Sequence, residues 1–210
     1  MFKFMLPPVV ALIAALVAGG CNEKSKNDTA AAQAQVEIQG ELNEASYKQA
    51  AEKVLAETHQ SISDAALTED RVDAGVAKIE GLLALAGKLD VDKGKLDEAE
   101  LVSTLGVLYA RKAAFHADSP QQAGIYSAKG FRYLDRAVTK YPDNITARLN
   151  RGMTSAKVPE FLNKSSVARD DLQYVVERPD FAKLPQGMQA SVRAALAEVE
   201  ARLAQEAAKS

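Results

Sequence analysis

The 210-residue chain is 47% hydrophobic and 26% charged, with a formal net charge of −2. That composition has room for one buried core and is too apolar for a disordered chain, and the near-balanced charge argues against a dedicated nucleic-acid binder. One Cys excludes an intramolecular disulfide and a multi-Cys zinc finger, and two His leave little material for a His-rich metal site.

The chain opens with Lys3 and then an uncharged run from Met5 to Ala18. The run is short for a membrane span, and Pro7 and Pro8 disturb a helix there. Small residues follow as Ala18, Gly19 and Gly20, then Cys21. An apolar stretch closed by small residues is the pattern of a secretory signal. A Cys directly after it resembles the lipobox of bacterial lipoproteins, although Ala18 stands where that family most often has Leu. The resemblance implies a signal peptide over residues 1–20 that is cleaved before Cys21, and acyl chains on Cys21. Asn22 in place of Asp implies sorting to the outer membrane, with the folded part in the periplasm. Two or more acyl chains hold a protein stably on a bilayer, so the fold needs no membrane-binding face of its own. The alternatives are an ordinary signal peptide with an incidental Cys, or a membrane helix. Residues 21–40 are rich in Ala, Gln, Asn, Lys and Ser, and read as a flexible tether.

From residue 41 to 207 the spacing of apolar residues is helical, and no alternating strand pattern competes with it. Ala is the commonest residue, with 38 copies, which favours closely packed helices. Tyr47, Ala51, Val54, Leu55 and Thr58 share one face. Val72, Val76, Ile79, Leu83 and Ala86 share a second. Leu101, Leu105, Leu108 and Lys112 follow, with Tyr109 beside them. Tyr126, Gly130, Leu134, Ala137 and Tyr141 mark a fourth helix, and a shorter fifth spans about 145–156. Val167, Leu172, Val175 and Val176 mark a sixth. Val192, Ala195, Leu196, Val199 and Leu203 mark a seventh. Gly94, Pro120, Pro142, Pro159, Pro179 and Pro185 fall between them, and Ser119 and Asp143 are the expected caps.

Two stretches resemble the tetratricopeptide repeat. Leu105-Gly106-x-x-Tyr109 matches that family's first helix. Gly130-x3-Leu134-x2-Ala137, followed by Pro142, matches its second. A weaker unit runs from Arg151-Gly152 through Ala168-x3-Leu172-x2-Val175 to Pro179. Helix connections longer than the family's are expected before Gly130 and around Pro159 to Lys164. The resemblance covers about 98–179 and implies an all-α domain of stacked helical hairpins with long intra-hairpin connections. Such domains usually bind other proteins. A non-repeat α bundle is the alternative.

Chemistry-bearing motifs are few. Asp90-Val-Asp92-Lys-Gly94-Lys-Leu96-Asp97-Glu98-Ala-Glu100 resembles an EF-hand loop with one residue missing before Gly94, the third acidic ligand. The same string reads as an inter-helix turn leading into an acidic first helical turn. His59 and His116 fall near helix ends, away from any nucleophile. No phosphate loop, zinc-helix motif or nucleophile elbow is present, so neither an enzyme nor a bound cofactor or metal is expected. Asp170 and Asp171 sit within an apolar-spaced helix, where solvation or pairing with Arg is expected.

Charge is unevenly spread. Residues 37–100 hold 15 acids and 7 bases, whereas residues 120–157 hold 2 acids and 7 bases. Lys129, Arg132, Arg136 and Lys140 recur at spacings of three and four, and Arg148 and Arg151 repeat this on the next helix. These six are the candidate partner-binding residues, suited to an acidic peptide or a carboxylate. The competing reading docks the same stripe on the chain's own acidic half. The expectation from sequence is an outer-membrane lipoprotein acting as an envelope scaffold or adaptor, with the bilayer and an unidentified envelope protein as partners. An envelope enzyme or small-ligand carrier with a site between helices is the alternative.

Overall fold

The computed structural model describes residues 41–64, 66–92 and 96–208. Among them are seven α-helices and no strand: α1 (Glu44–Ser63), α2 (Glu69–Ala86), α3 (Glu98–Phe115), α4 (Pro120–Lys140), α5 (Ile145–Lys157), α6 (Ser165–Val176) and α7 (Gln186–Ala208). The chain is all-α. Short 3-10 turns lie at Glu160–Leu162 and Pro179–Lys183. The expected signal segment 1–20, Cys21, the 21–40 tether and Gly94 lie outside the described residues. No helix among the described residues is long and apolar enough to cross a membrane.

The helix starts are chosen by side chains that satisfy unpaired backbone N–H groups. Asn43 accepts from the Ser46 N–H, and the Ser46 hydroxyl accepts from the Asn43 N–H, each at 3.0 Å. Thr68 caps α2. Asn144, not Asp143, caps α5, its Oδ1 lying 2.8 Å from the Ala147 nitrogen. Asp143 stands one residue too early, and its carboxylate accepts from the Tyr174 hydroxyl instead. Ser119 occupies the cap position of α4 without a side-chain bond. Pro120 begins that helix rather than separating two, since its missing N–H needs no partner there.

The connection between α3 and α4 is short, spanning 116–119. The extra residues before Gly130, expected as a long intra-hairpin connection, are helical turns that lengthen both α3 and α4. The turn between α5 and α6 is longer and includes the 3-10 segment at Glu160–Leu162.

Packing follows chain order. Each helix pair in substantial contact lies within two positions in sequence. Thus α3 packs on α1, α2, α4 and α5, while α5 packs on α3, α4, α6 and α7. The odd-numbered helices meet one another in succession, and each even-numbered helix packs on its two odd neighbours. One apolar cluster joins α1, α2 and α3 through Tyr47, Val54, Val72, Ile79, Leu82 and Leu105. A second joins α5, α6 and α7 through Leu172, Val175, Val192 and Val199. Val102, Ala137, Val138 and Ala147 form a third, which joins α3, α4 and α5. On α2, Leu82 and Leu85 are fully buried and Leu83 only half so, a shift of one position from the expected face.

Glycines set the two tightest crossings. A Cβ on Gly106 would lie 2.7 Å from Leu134 Cγ and 2.9 Å from the Gly130 carbonyl oxygen. A Cβ on Gly130 would lie 2.9 Å from the Gly106 carbonyl oxygen. Helices α3 and α4 therefore approach backbone to backbone. Gly152 repeats the device between α5 and α6, where a Cβ would lie 2.9 Å from Leu172 Cδ2.

Candidate functional site

The six cations singled out from the sequence sit on α4 and α5, and five of them have acidic partners within the chain. On α4, Gly130, Leu134 and Ala137 are buried against α3, which turns Arg132, Arg136 and Lys140 outward and leaves Lys129 half-buried. Lys129 donates to the Tyr109 hydroxyl at 2.7 Å and lies 3.7 Å from Glu80 on α2. The Tyr109 hydroxyl in turn donates to Glu80 at 2.8 Å. Tyr109 stacks between Tyr126 and Tyr133, with ring centroids 6.5 and 5.7 Å away, and Lys129 lies over its face. Burial, followed by the charge of Glu80, pushes the Tyr109 hydroxyl well above its ordinary range. Arg132 is exposed and makes no ion pair among the described residues.

Arg136 and Lys140 converge on Glu98, the first residue of α3. Lys140 Nζ and the Tyr141 hydroxyl both donate to Oε2 at 2.6 Å, and Arg136 lies 3.4 Å from Oε1. Glu98 is buried. Burial alone would raise its pKa, but the hydrogen bonds from Lys140 and Tyr141 and the charges of Lys140 and Arg136 outweigh it and hold the carboxyl below its ordinary value. A group depressed on folding contributes stability above its unfolded pKa and loses it as pH falls through the folded one. Glu98→Gln is therefore expected to be less stable than wild type at pH 7, with the gap closing as pH falls below about 4.3. Melting temperatures of both proteins between pH 3 and 7 check this.

Arg148 and Arg151 on α5 close on Asp171 of α6. Arg151 Nε lies 2.6 Å from Oδ2 and its Nη2 3.0 Å from Oδ1, a two-pronged grip, while Arg148 Nη1 lies 3.0 Å from Oδ1. Arg151 also reaches Asp135 on α4 at 3.1 Å. Asp171 is fully buried, whereas Asp170 beside it is exposed and pairs with Arg169. The Arg148 guanidinium lies over Tyr174, 4.0 Å from its centroid, with Arg178 4.3 Å from the same centroid.

Three residues of the EF-hand-like string are committed elsewhere. Besides Glu98, Glu100 accepts from the Thr146 hydroxyl at 3.1 Å, and Leu96 is fully buried. No group of three or more His, Cys, Asp or Glu among the described residues is placed to hold a metal ion. His59 meets the Thr104 hydroxyl at 3.3 Å, and His116 meets Glu69 at 2.9 Å.

The odd-numbered helices carry a feature that the sequence did not indicate. Polar bonds cross from one to the next: His59 to Thr104, Thr146 to Glu100, and the Asn150 amide to the Ser103 hydroxyl at 3.0 Å. Between α5 and α7 lies an open groove of about 470 Å³. Leu149 and Met153 of α5 and Met188 and Val192 of α7 line it, with Lys157 at its margin. Met188 is exposed.

No protein-family model matches this chain, no curated protein is significantly similar to it, and no solved structure matches it.

Proposed function

We propose that this protein is a lipid-anchored envelope adaptor, held by Cys21 in the outer membrane and holding another protein on the face formed by its odd-numbered helices. The observation that carries this reading is the packing order. Among the described residues the substantial helix contacts are between near neighbours, and glycines set the crossings at Gly106–Gly130 and at Gly152. That order supports the reading of a tetratricopeptide-like ladder, whose first helices line a shared binding face. The groove between α5 and α7 belongs to that face, and its methionines suit an apolar segment of a partner. The groove supports an adaptor over a small-ligand carrier, because it is open and its amide, Asn150, is engaged by Ser103.

Two measurements test the proposal in intact envelopes. Metabolic lipid labelling should mark the wild-type protein and not Cys21→Ser; an unlabelled wild type would remove the anchor. A photoreactive residue at position 188 should give a discrete protein adduct, and one at position 139 on the outer side of α4 should give none. Equal adducts at both positions, or none at 188, would remove the binding face.

A further inference from the structure

The hydrogen bonds between odd-numbered helices keep one register. His59 meets Thr104 at an offset of 45 residues, Thr146 meets Glu100 at 46, Asn150 meets Ser103 at 47, and Arg202 donates to the Ala156 carbonyl at 46. A near-constant offset is the mark of helices that run in the same direction, since a step along one is matched by a step along the other. The chain reverses between α3 and α4 and again between α4 and α5, which gives α3 and α5 that common direction.

The register continues past the last bond between α3 and α5. Arg111 stands eleven residues after Glu100 and seven after Thr104, which is three and two helical turns further on the same side of α3. Lys157 stands eleven residues after Thr146 and seven after Asn150, on the same side of α5. Their own offset is again 46, so the two share one rung of the odd-helix face, and Val107 and Met153 share the rung before it. Arg111 and Val107 are half-buried, Lys157 is exposed, and Met153 and Lys157 belong to the groove between α5 and α7.

Most cations of α3 to α6 are spent within the chain. Among the described residues, Arg111, Arg132 and Lys157 are those of these helices with no ion pair, and Arg132 stands apart on the outer side of α4. Glu100, the acid on the same side of α3, lies about 16 Å back along the helix and is engaged by Thr146. Helix α1 ends at Ser63, before it reaches this rung. Two like charges brought to one rung repel, and an anion between them removes the repulsion. Helices packed at about 8–10 Å allow a long Arg and a long Lys side chain to meet on one carboxylate, which the planar guanidinium grips with two hydrogen bonds. An anionic bilayer calls for clusters of about four to eight cations. Two cations beside a methionine-lined groove suit a single acidic side chain set in an apolar segment.

We propose that the odd-helix face selects an acidic segment of its partner protein, with a glutamate or aspartate carboxylate held between Arg111 and Lys157 and a neighbouring apolar side chain seated in the groove at Met153 and Met188. The proposal rests on the adaptor reading and names the chemistry that the adaptor recognises. It places the anion site outside the basic stripe of α4, whose Lys129, Arg136 and Lys140 are neutralised by Glu80 and Glu98.

Fluorescence anisotropy of a labelled peptide titrated with the full-length chain in detergent tests it. The probe is a short alanine–serine peptide carrying adjacent leucine and glutamate residues, and its counterpart has glutamine for every glutamate. The glutamate peptide should bind saturably, and the glutamine peptide about tenfold more weakly. Arg111→Glu and Lys157→Glu should each weaken the glutamate peptide by about tenfold or more. Arg132→Glu makes the same charge change at an unpaired cation outside the face and should weaken it by less than about twofold. Arg111→Gln keeps the apolar stem of a half-buried side chain and should also lose binding, so that a folding defect in Arg111→Glu, visible as lost helix content, does not decide the outcome. No saturable binding, equal binding of the two peptides, equal losses at Arg132 and at the rung, or displacement by inorganic phosphate beyond that by sodium chloride of equal ionic strength would each overturn the proposal. A discrete adduct at position 188 in envelopes alongside any of these results would keep the adaptor and remove its acidic selectivity. Peptide binding without that adduct would keep the carboxylate site and remove the adaptor.

Discussion

Gly106→Val is expected to lower the melting temperature by about 3–10 °C, from ~1–3 kcal/mol of overpacking in a domain of this size. The new Cβ would lie 2.7 Å from Leu134 Cγ and 2.9 Å from the Gly130 carbonyl oxygen. A leucine side chain can turn aside, but the carbonyl belongs to the backbone of α4. Relief requires α3 and α4 to separate, and their separation loosens the stacked tyrosines beyond. For the same reason Leu134→Ala should not rescue the variant. Gly124→Val is the matched control. A Cβ there meets nothing within 4 Å, and valine improves on glycine in a helix. Its melting temperature should hold or rise slightly. Equal losses at both positions, followed by circular dichroism, would show that close approach does not govern Gly106.

The glycine crossings were legible in the sequence because close helix approach demands a residue without a side chain, and Gly106 and Gly130 fall in phase with Leu105, Leu134 and Ala137. The helices were legible for the related reason that apolar spacing survives on every buried face. Boundaries were less so. Asn144 and Asp143 are both good capping residues, and the choice between them depends on where Ala147 meets α3 and α4, which local sequence does not contain. The residues between Tyr109 and Gly130 lack a strong apolar stripe. Those between Lys112 and Tyr126 read as a connection, yet all but 116–119 are helical, and Tyr126 and Tyr133 stack on Tyr109 across the hairpin.

The candidate site was legible as charge and not as geometry. Lys129, Arg136 and Lys140 announce a basic face, but their partners Glu80 and Glu98 lie dozens of residues earlier, and only folding brings them together. A signal for the buried acids was nonetheless present. Asp171 falls in phase with Ala168, Leu172 and Val175, and Glu98 with Leu101, Val102 and Leu105. An acid on an apolar face must be paired or hydrogen-bonded when buried. The groove between α5 and α7 left no such trace, since methionine and leucine on a helix face serve equally for core and for an open surface.

Asp171→Ala carries the second large effect. Two arginines donate three hydrogen bonds to this fully buried carboxylate, and both are themselves mostly shielded from water. Removing the acid leaves their charges without compensation, which costs ~3–5 kcal/mol in a buried ion network. The expected fall in melting temperature is about 6–20 °C. Asp170→Ala, one residue away and exposed, should change stability by less than about 0.5 kcal/mol. The loss at Asp171 arises from stranded charge and not from the pair's net attraction, and a further variant separates the two. In Asp171→Leu combined with Arg148→Met and Arg151→Met, no charge is left buried and the apolar volume is roughly kept. Such replacements are often neutral or stabilising. The triple variant should therefore melt well above Asp171→Ala despite carrying more substitutions. If it melts lower, the network holds α5, α6 and Asp135 of α4 in a geometry that apolar packing does not reproduce. The arginines of α5 would then hold the fold by their directed hydrogen bonds as much as by their charge.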